Sequence, residues 1–269
     1  MERAPRAQGL RVAVTGGGSG IGAALATALS AEGAQVVVND LDAGRAVAVA
    51  ASVGGWAVPG DATSDDGAAA LVAAAREHLG EIDLFCANAG IGTGGGPEAP
   101  DALWDEAWQV NVMGHVRAAR HLLPHWLRSG RGHFLATVSA AGLLTMPGSA
   151  PYSVTKHAAL AFAEWMSITY RDRGIVVQAL CPQGVRTPML AATGSVGETV
   201  LTRGAISAEE VAQDVLAALN GGPFLILPHP EVAGFYAGRA ADPDAWQAAM
   251  RKVQAKVDAA TTLRTQPPS

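Results

Sequence analysis

A serine, a tyrosine and a lysine near the middle of the chain could together move a proton to or from a bound oxygen atom. Ser139 follows residues 133–138, an apolar run that predicts a β-strand. Tyr152 and Lys156 lie in an Ala-rich run that predicts a helix from residue 151 to about residue 171. Pro151 suits the first turn of such a helix, where its missing N–H would have no partner. The tyrosine and lysine then share one helix face, with Cβ atoms roughly 5–6 Å apart.

This spacing has a chemical use. A free tyrosine titrates near a pKa of ~10 and is a poor base at neutral pH. An ammonium group one helical turn away favours the phenolate, so Lys156 is expected to lower the pKa of Tyr152. Ser139 could hold a substrate oxygen beside the phenol. The alternative is an ordinary helix with a surface tyrosine and lysine, and the rest of the chain decides between the two.

Composition limits the choice of function classes. The chain has 269 residues, of which 49% are hydrophobic, enough for one large domain with a sizeable core. We expect this single domain over residues 10–260, with terminal tails at residues 1–9 and 261–269. The net charge of −5 and the lack of Lys/Arg runs argue against a nucleic-acid partner or a polybasic membrane surface.

The cysteines and the termini bear on the compartment and on metals. Cys86 and Cys181 lie in apolar runs and form no CxxC pair, which indicates buried thiols in a reducing compartment. No apolar stretch reaches membrane-spanning length, and the first residues lack the hydrophobic core of a signal peptide. We therefore expect a cytoplasmic protein. His121 and His125 are four residues apart, but no Cys/His cluster accompanies them, so no metal site is expected.

Predicted strands and helices alternate along the chain. Most strands are continuous apolar runs, which is typical of a parallel sheet buried on both faces by helices. The expected fold is thus α/β, a doubly wound, mostly parallel, seven-stranded Rossmann-type sheet with helices on both faces. Such sheets bind ligands at the carboxyl ends of their strands. The unusual residues follow strands at that edge: residues 16–22, Asp40, Asp61, residues 88–90, Ser139 and residues 182–189.

The first strand and helix have the context of a dinucleotide site. Residues 16–22 read Gly-Gly-Gly-Ser-Gly-Ile-Gly, with a strand before them, a helix after them and Asp40 about 20 positions further on. Glycines let the backbone approach a pyrophosphate, whose negative charge the helix N-terminus favours. A carboxylate at the end of the second strand can accept hydrogen bonds from the adenosine ribose hydroxyls.

These motifs together resemble the short-chain dehydrogenase/reductase family in its compact, single-domain form. The resemblance rests on Thr15 to Gly22, Asn88-Ala89-Gly90, Asn111, Ser139 and Tyr152-Ser-Val-Thr-Lys156, and it covers residues 10 to 227. It implies an NAD-dependent alcohol dehydrogenase or carbonyl reductase acting on a small-molecule alcohol or ketone. The motifs are specific as a set, but they do not distinguish one substrate from another.

The resemblance also implies roles for individual residues. Tyr152 would be the acid/base, Ser139 would orient the substrate oxygen, and Lys156 would hold the nicotinamide ribose. Asn111 would hold a water molecule in a proton relay behind Lys156. Gly16, Gly20 and Gly22 would line the pyrophosphate turn, Asp61 and Ala62 would flank the adenine, and Val185 and Thr187 would touch the carboxamide. The expected cofactor contacts are Gly16, Ser19, Gly20, Ile21, Gly22, Asp40, Leu41, Asp61, Ala62, Asn88, Ala89, Gly90, Tyr152, Lys156, Pro182, Val185 and Thr187.

One residue departs from the family pattern. The family has glycine after the proline that is Pro182 here, and this chain has Gln183. Its larger polar side chain either points into the substrate site and donates a hydrogen bond or points to solvent.

The substrate side is expected to be mainly apolar. Leu143, Met146, Gln183 and Met189 are the candidate substrate contacts, and Arg186 is the only cation near them. This set favours an uncharged, fairly hydrophobic secondary alcohol or ketone. Residues 190–207 contain Gly194, Gly197 and Gly204 and little apolar periodicity, so we expect a mobile lid that closes over the site.

The residues around Asp40 predict a preference for NAD over NADP. The ribose 2′-phosphate of NADP would lie next to the Asp40 carboxylate, and like charges repel at close range. Leu41 and Asp42 add no cation, and Arg45, the nearest downstream one, is expected inside the next helix.

Two other function classes share parts of this pattern. A non-catalytic dinucleotide sensor could use the same fold, but it would be expected to lack Tyr152 or Lys156. A nucleotide-sugar epimerase or dehydratase can share both residues, but usually carries a large C-terminal substrate domain. As a family implication we also expect a homotetramer. Residues 158–165 form a nearly all-apolar helix segment, buried either against a neighbouring subunit or on its own sheet alone.

Overall fold

The protein is described by a computed structural model that covers residues 7–265. Its centre is one seven-stranded sheet with the order β3-β2-β1-β4-β5-β6-β7, in which every neighbouring pair is parallel. The order reverses at β1, as in a doubly wound sheet. The predicted fold class is therefore confirmed. The strands are β1 (Arg11–Val14), β2 (Gln35–Val38), β3 (Trp56–Ala57), β4 (Leu84–Ala87), β5 (Gly132–Thr137), β6 (Ile175–Leu180) and β7 (Leu225–Ile226).

Helices cover both faces of this sheet. They are α1 (Gly20–Ala31), α2 (Ala43–Ser52), α3 (Asp65–Leu79), α4 (Asp101–Trp108), α5 (Gly114–Ser129), α6 (Ala141–Leu144), α7 (Ala150–Tyr170), α8 (Pro188–Ala191), α9 (Gly194–Val200), α10 (Ala208–Ala218), α11 (Glu231–Ala241) and α12 (Pro243–Thr265). Short 3₁₀ turns follow α7 at Arg171–Arg173 and α9 at Thr202–Gly204. A π-helical turn, Gln109–Met113, joins α4 to α5.

Several helix ends follow from local sequence. Ser64 caps α3 by accepting a hydrogen bond from the Gly67 N–H at 3.1 Å, and Gly80 ends this helix at a φ of 78° that L-residues rarely adopt. Ser207 and Glu210 form a reciprocal capping box at the start of α10. These signals can be recognised in the sequence because the capping groups and the orphan backbone N–H groups are close neighbours in the chain.

Apolar residues at helical spacing from Trp108 to Leu123 predict a long helix whose pattern Pro124 interrupts, with a kink expected there. The α5 helix continues through Pro124 to Ser129, and the kink stays a prediction. The irregularity lies earlier, at the π-helical turn, which contains Asn111. At the other end of the chain, the expected terminal helix is preceded by a separate one, α11. The α12 helix runs on through Thr265, past the boundary expected at residue 260, and the remainder of the expected C-terminal tail lies outside the described residues.

The core forms two clusters, one on each face of the sheet. The larger contains Phe85 and Phe134, whose stacked rings have centroids 6.0 Å apart. The smaller lies between the sheet and α1 and α10, around Leu25 and Val215. Cys86 and Cys181 are free and fully buried, as predicted, and burial raises the pKa of each thiol to about 12. Within residues 7–265, no helix is both long and apolar enough to cross a membrane.

Candidate active site

The glycine turn between β1 and α1 has no room for side chains. A Cβ at Gly16 would lie 3.0 Å from Ala89 Cα, and one at Gly22 would lie 2.2 Å from the Gly16 carbonyl oxygen. Gly20 has a φ of 52°, and a Cβ there would lie 3.0 Å from Thr187 Cγ2. Ser19, Gly20, Ile21 and Gly22 form the start of α1, where the first N–H groups of a helix lack intrahelical partners. The turn therefore presents bare backbone and a positive helix end, an arrangement that suits a phosphate group.

Asp40 lies beside this turn and is 6% exposed. Its Oδ2 accepts a hydrogen bond from Gly18 N at 3.0 Å, and its Oδ1 accepts from Asp42 N at 2.9 Å. The guanidinium of Arg45 forms an ion pair with Oδ1 of Asp40 at 3.2 Å. Because a carboxylate offers about four lone-pair positions, Oδ2 keeps one for a further donor. Leu41 is 77% exposed next to it.

The Arg45 contact changes one argument made from the sequence. Arg45 lies inside α2, as expected, but its side chain reaches back to Asp40 and also lies 3.7 Å from Asp42. A cation is thus present at this end of the site, with its charge balanced by two carboxylates.

Thr15 joins the carboxyl ends of β1 and β4. Its hydroxyl accepts hydrogen bonds from the N–H groups of Asn88 and Ala89, both at 3.0 Å, and donates to the Cys86 carbonyl at 3.3 Å. Asn88 Nδ2 returns a bond of 3.1 Å to the Thr15 carbonyl. Asp61 and Ala62 follow β3 on the same edge, where the Asp61 carboxylate accepts from the Thr63 N–H and hydroxyl.

Tyr152 and Lys156 lie on α7 across from the glycine turn. The Lys156 side chain is buried, its Nζ donates to the Thr137 carbonyl at 3.1 Å, and it lies 5.6 Å from the centroid of the Tyr152 ring. Tyr152 is half-buried. Ser139 follows β5, and its Oγ accepts from Ala141 N at 3.0 Å and donates weakly to the Pro182 carbonyl at 3.5 Å. The three predicted side chains therefore lie together at the carboxyl edge of the sheet.

The pKa values of this pair differ from expectation. Burial raises the pKa of Tyr152, and a hydrogen bond with the Ser139 side chain acts in the opposite direction. Burial also lowers the pKa of Lys156 to about 8. We expected Lys156 to lower the pKa of Tyr152. In the protein alone, desolvation outweighs any such effect, because both groups lose water that would stabilise their charged forms.

Asn111 is fully buried in the π-helical turn, and its side chain is used for structure. Oδ1 accepts from Ile91 N at 2.9 Å, while Nδ2 donates to Ile91 O at 3.0 Å and to Thr155 Oγ1 at 3.2 Å. A Cβ at Gly90 would lie 3.2 Å from Asn111 Oδ1 and 3.4 Å from Lys156 Nζ. Gly90 thus allows the close approach of both side chains. Both N–H groups of the Asn111 amide are occupied, so a water would have to use other atoms of this turn.

The loop after β6 crosses the edge of the site. Val185 is buried, Thr187 contacts the Gly20 region, and the Pro182 carbonyl faces Ala140 N at 2.8 Å and Ser139. A cavity of about 490 Å³ lies between this loop and the expected lid. Its wall includes Arg186, whose guanidinium donates to the Ala205 carbonyl and lies 3.5 Å from Glu210.

The expected substrate contacts separate into two groups. Met189 is 42% exposed and reaches Gly92, Met146 hydrogen-bonds through its backbone to Ser153, and Gln183 is half-buried. Leu143, by contrast, is 1% exposed and belongs to the larger core cluster. The short helix α6 places this side chain in the core, and its contact with a substrate stays a prediction.

Sequence reasoning missed three residues near the site, and it placed Arg45 in α2 without foreseeing its contact with Asp40. Thr155 bonds Asn111, Arg45 pairs with Asp40, and His229 bonds the loop after β6. His115 lies four residues after Asn111 and is buried beside a cavity of about 10 Å³. Neither of its ring nitrogens has a hydrogen-bond partner among the described residues. Burial lowers its pKa to about 3, and Lys156 acts in the same direction. Only the position of Thr155 beside Lys156 offered a signal in the sequence.

Comparison with known proteins agrees with this arrangement. A family model described as short chain dehydrogenase matches residues 11–196. The 1-deoxy-11-beta-hydroxypentalenate dehydrogenase of Streptomyces exfoliatus is 36% identical over 233 residues, covering 81% of this chain and 82% of that one. The cis-4-hydroxycyclohexanecarboxylate dehydrogenase of Sinomonas cyclohexanicum is 34% identical over 67% of this chain and 76% of its own.

Solved structures give the same result. A short chain dehydrogenase/reductase from Burkholderia phymatum, crystallised in complex with NAD, superposes with a TM-score of 0.82 at 27% identity, over 89% of this chain and 96% of that one. The family match spans more than half of the chain and includes the glycine turn, Ser139, Tyr152 and Lys156. The chain belongs to the short-chain dehydrogenase/reductase family and is an oxidoreductase.

Proposed function

We propose that the protein is an NAD-dependent oxidoreductase that transfers a hydride between nicotinamide and a secondary alcohol or ketone. The observation that carries this proposal is the grouping of Ser139, Tyr152 and Lys156 at the same sheet edge as the glycine turn. A proton-transfer group thus lies within the same crevice as a backbone cradle for phosphate. The family contains enzymes whose names denote oxidation of a hydroxyl group, which supports this assignment.

The residues of the glycine turn fit a dinucleotide. Any side chain at Gly16 or Gly22 would collide with backbone, so the exposed N–H groups are free to face a pyrophosphate. Asp40 would accept a ribose hydroxyl at the free position on Oδ2, and Lys156 would face the second ribose. Val185 and Thr187 would border the nicotinamide. When bound, the cofactor supplies the hydride chemistry, whereas the protein supplies position and electrostatics.

Tyr152 would move the proton at the substrate oxygen. In the reduction direction its hydroxyl donates a proton to the forming alkoxide, and in the oxidation direction the phenolate accepts one. Ser139 would donate a hydrogen bond to the same oxygen and orient it. Lys156 favours the phenolate whenever it is charged, and the burial that lowers the pKa of this ammonium to about 8 keeps that charge poorly screened by water.

We propose NAD rather than NADP as the preferred cofactor. The ion pair between Asp40 and Arg45 leaves no net positive charge for a 2′-phosphate, and Asp42 adds a further negative charge. This selectivity depends on Asp40, because Arg45 would be released if that carboxylate were removed.

The proposed substrate is an uncharged, fairly hydrophobic secondary alcohol or ketone. Met146 and Met189 lie near the site, and Arg186 is engaged by Glu210 and the Ala205 carbonyl. The two relatives described above carry names of hydroxy-carboxylates, so the charge of the substrate is the point to be tested. We further propose that residues 190–207 act as a lid. Its helices α8 and α9 would close over the site, and α9 packs against α12.

The test is a panel of secondary alcohols offered with NAD+, in which the appearance of NADH absorbance is measured. The panel pairs neutral alcohols with hydroxy acids of similar size, including 3-hydroxybutyrate. We expect turnover with the neutral members. No NADH with any alcohol, and no NADH consumption with the matching ketones, would reject the reaction. Much better turnover with the hydroxy acids would reject the uncharged substrate alone.

We also propose that the protein forms a homo-oligomer, a homotetramer by family expectation. Val154, Trp165 and Ile168 are exposed on one side of α7 by 48%, 53% and 77%, which suits contact with a second copy of the chain. A cytoplasmic location stays a prediction, to be tested by cell fractionation.

A further inference from the structure

His229 lies in the short connection between β7 and α11 and is 3% exposed. Prolines flank it on both sides, at positions 228 and 230. Proline fixes its own φ and restricts the residue before it, so the backbone around His229 has few alternatives. The His229 carbonyl also accepts a hydrogen bond from Val232 N at 3.0 Å in the first turn of α11. The backbone that carries the ring is therefore fixed by the local sequence.

The two ring nitrogens of His229 bond two different segments. Nδ1 lies 3.1 Å from Gln183 N, and Nε2 lies 3.2 Å from the Gly204 carbonyl. A backbone N–H can only donate and a carbonyl can only accept. Nδ1 must therefore be the acceptor and Nε2–H the donor, which defines a neutral ring with its proton on Nε2. Glu210 and Asp214 of α10 are the acidic side chains close to this histidine, while both ring nitrogens are taken by backbone groups.

One bonded segment is the loop before the lid, at Gln183, and the other is the C-terminal part of the lid, at Gly204. Ile206 N donates to Gly184 O at 3.1 Å, and Arg186 N donates to Ile206 O at 2.8 Å, so these two segments are paired through their backbones. A Cβ at Gly184 would lie 2.2 Å from the Leu201 carbonyl oxygen, which shows how closely the segments pack. His229 bonds to both segments from the side of the sheet. It fixes Gln183, which precedes Val185 and Thr187 by two and four residues.

We propose that His229 is a positioning residue that holds the loop of residues 182–187 and the base of the lid in the geometry needed for cofactor binding. This inference rests on the proposed function of that loop in facing nicotinamide. His229 contacts no reacting atom and acts through the Gln183 backbone on one side and Gly204 on the other. It also supplies a fixed partner for the backbone at the position where this chain has glutamine and the family pattern has glycine.

Two amide substitutions separate the two bonds. In His229→Asn, an amide oxygen can take the place of Nδ1 and accept from Gln183, but the side chain is too short to reach Gly204. In His229→Gln, the amide N–H can take the place of Nε2 and donate to Gly204, but Gln183 loses its acceptor. His229→Leu removes both bonds. His133→Asn is the control, because His133 is half-buried and also bonded through its ring, to Gln178 at 3.0 Å, but lies at the opposite edge of the sheet.

Two measurements are made on each purified variant without any substrate: the dissociation constant for NADH, and the hydrogen–deuterium exchange of peptides spanning residues 182–187 and 200–206. We expect His229→Leu to weaken NADH binding by roughly 5- to 150-fold and to speed exchange in both peptides. This range is the change in an equilibrium constant that corresponds to the cost of leaving one buried donor unpaired. His229→Gln should share the weaker binding and the faster exchange at residues 182–187. His229→Asn should bind NADH within about threefold of the parent, with faster exchange only at residues 200–206.

His133→Asn should lower thermal stability without either effect. The proposal is overturned if His229→Leu binds NADH like the parent, or if His133→Asn reproduces its pattern. Should the parent itself fail to bind NADH, the proposed function fails, and the exchange measurements still decide whether His229 holds the two segments.

Discussion

Tyr152 and Lys156 illustrate how burial and charge compete at the scale of single residues. One turn of helix brings the phenol and the ammonium together, but both lie where water is scarce. Burial raises the pKa of the phenol and lowers that of the ammonium to about 8. Burial therefore shifts both groups toward their neutral forms, although an ammonium with a pKa of about 8 is still mostly charged at pH 7. The Ser139 hydroxyl is the protein group that favours the phenolate.

Replacing Tyr152 by Phe keeps the ring and removes only the titrating hydroxyl. Because general acid–base catalysis typically contributes 10²–10⁴-fold, we expect kcat to fall by roughly that factor while NADH binding is retained. Steady-state kinetics and a fluorescence titration with NADH measure the two effects. Tyr170→Phe, the same change at the far end of α7, is the control and should leave kcat unchanged. Near-normal turnover of Tyr152→Phe would rule out its role as acid/base.

Asp40 is expected to decide between the two nicotinamide cofactors. In Asp40→Ala the like-charge repulsion of a 2′-phosphate disappears, and Arg45 loses the carboxylate that it pairs with at 3.2 Å. The freed guanidinium can then bind the phosphate, so the ratio of kcat/KM for NAD over NADP should fall by at least tenfold, about 1.4 kcal/mol. The double change of Asp40 to Ser with Leu41→Arg should go further.

Asp42→Ala is the control for this experiment, because it also removes one negative charge, that of the second carboxylate near Arg45. It should change the cofactor ratio much less, since Asp42 caps α2 and is not the side chain expected to face the ribose. If the unmodified protein used NADP as well as or better than NAD, the assignment of Asp40 would be wrong.

His115 should make the protein sensitive to acid. Its pKa is about 3 when folded and near 6.5 when unfolded, so the unfolded chain binds more protons between these values. Stability is therefore lost as pH falls through this window. Lowering the pH from 7 to 5 should reduce the free energy of unfolding by about 2 kcal/mol through His115. Urea unfolding at both pH values should show that His115→Leu loses about 2 kcal/mol less than the parent. An equal loss in both proteins would contradict the folded-state pKa.

At the scale of secondary-structure elements, the sequence predicted what is encoded by neighbours in the chain. The seven strand runs, the glycine turn, the Ser64 cap and the start of α7 at its proline all depend on residues within a few positions of one another. Parallel pairing then followed from the alternation of apolar strands with helices. The grouping of Ser139, Tyr152 and Lys156 could be predicted for the same reason, since two of them share a helix and the third ends a strand.

What the sequence did not predict depends on contacts between distant residues. The burial of Leu143 in the core comes from the short helix α6, which the sequence pattern did not indicate. The π-helical turn is fixed by the bonds of Asn111 to Ile91 and Thr155, which are 20 and 44 residues away. The bond from Gln183 to His229 spans 46 residues. No local pattern announces such contacts.

The π-helical turn should be destabilised when Asn111 is changed to Ala. The Ile91 N–H and carbonyl would lose their partners in a buried place, which costs about 1–3 kcal/mol for an unpaired group. Urea denaturation measures the free energy of unfolding. Gln109→Ala, in the same turn, removes a single exposed bond to Arg117 and should cost less than about 1 kcal/mol. Equal losses in the two variants would mean that the Asn111 bonds do not hold the turn.

At the scale of the whole molecule, α7 has an exposed apolar face that the described part of the single chain does not cover. Val154 and Ile168 lie on the same side of the helix as Trp165, whose ring stacks on Phe162 at 6.4 Å and meets Tyr170 edge-on at 5.8 Å. The opposite side of α7 is buried on the sheet through Ala159, Ala163 and Met166. One side of residues 158–165 is therefore buried on the sheet, and burial of the other side against a neighbour stays a prediction.

An arginine at Ile168 should break the proposed oligomer. A charge placed in the middle of an apolar contact must be desolvated without a partner, which costs several kcal/mol and outweighs the attraction of a modest interface. Sedimentation velocity should show the parent as a homotetramer and Ile168→Arg as smaller species with an unchanged thermal transition of the subunit fold. Val47→Arg is the matched control, since Val47 is 54% exposed on α2, away from this face, and its substitution should leave the sedimentation coefficient unchanged. A monomeric parent, or an Ile168→Arg protein that sediments like the parent, would show that this face of α7 is not where copies of the chain meet.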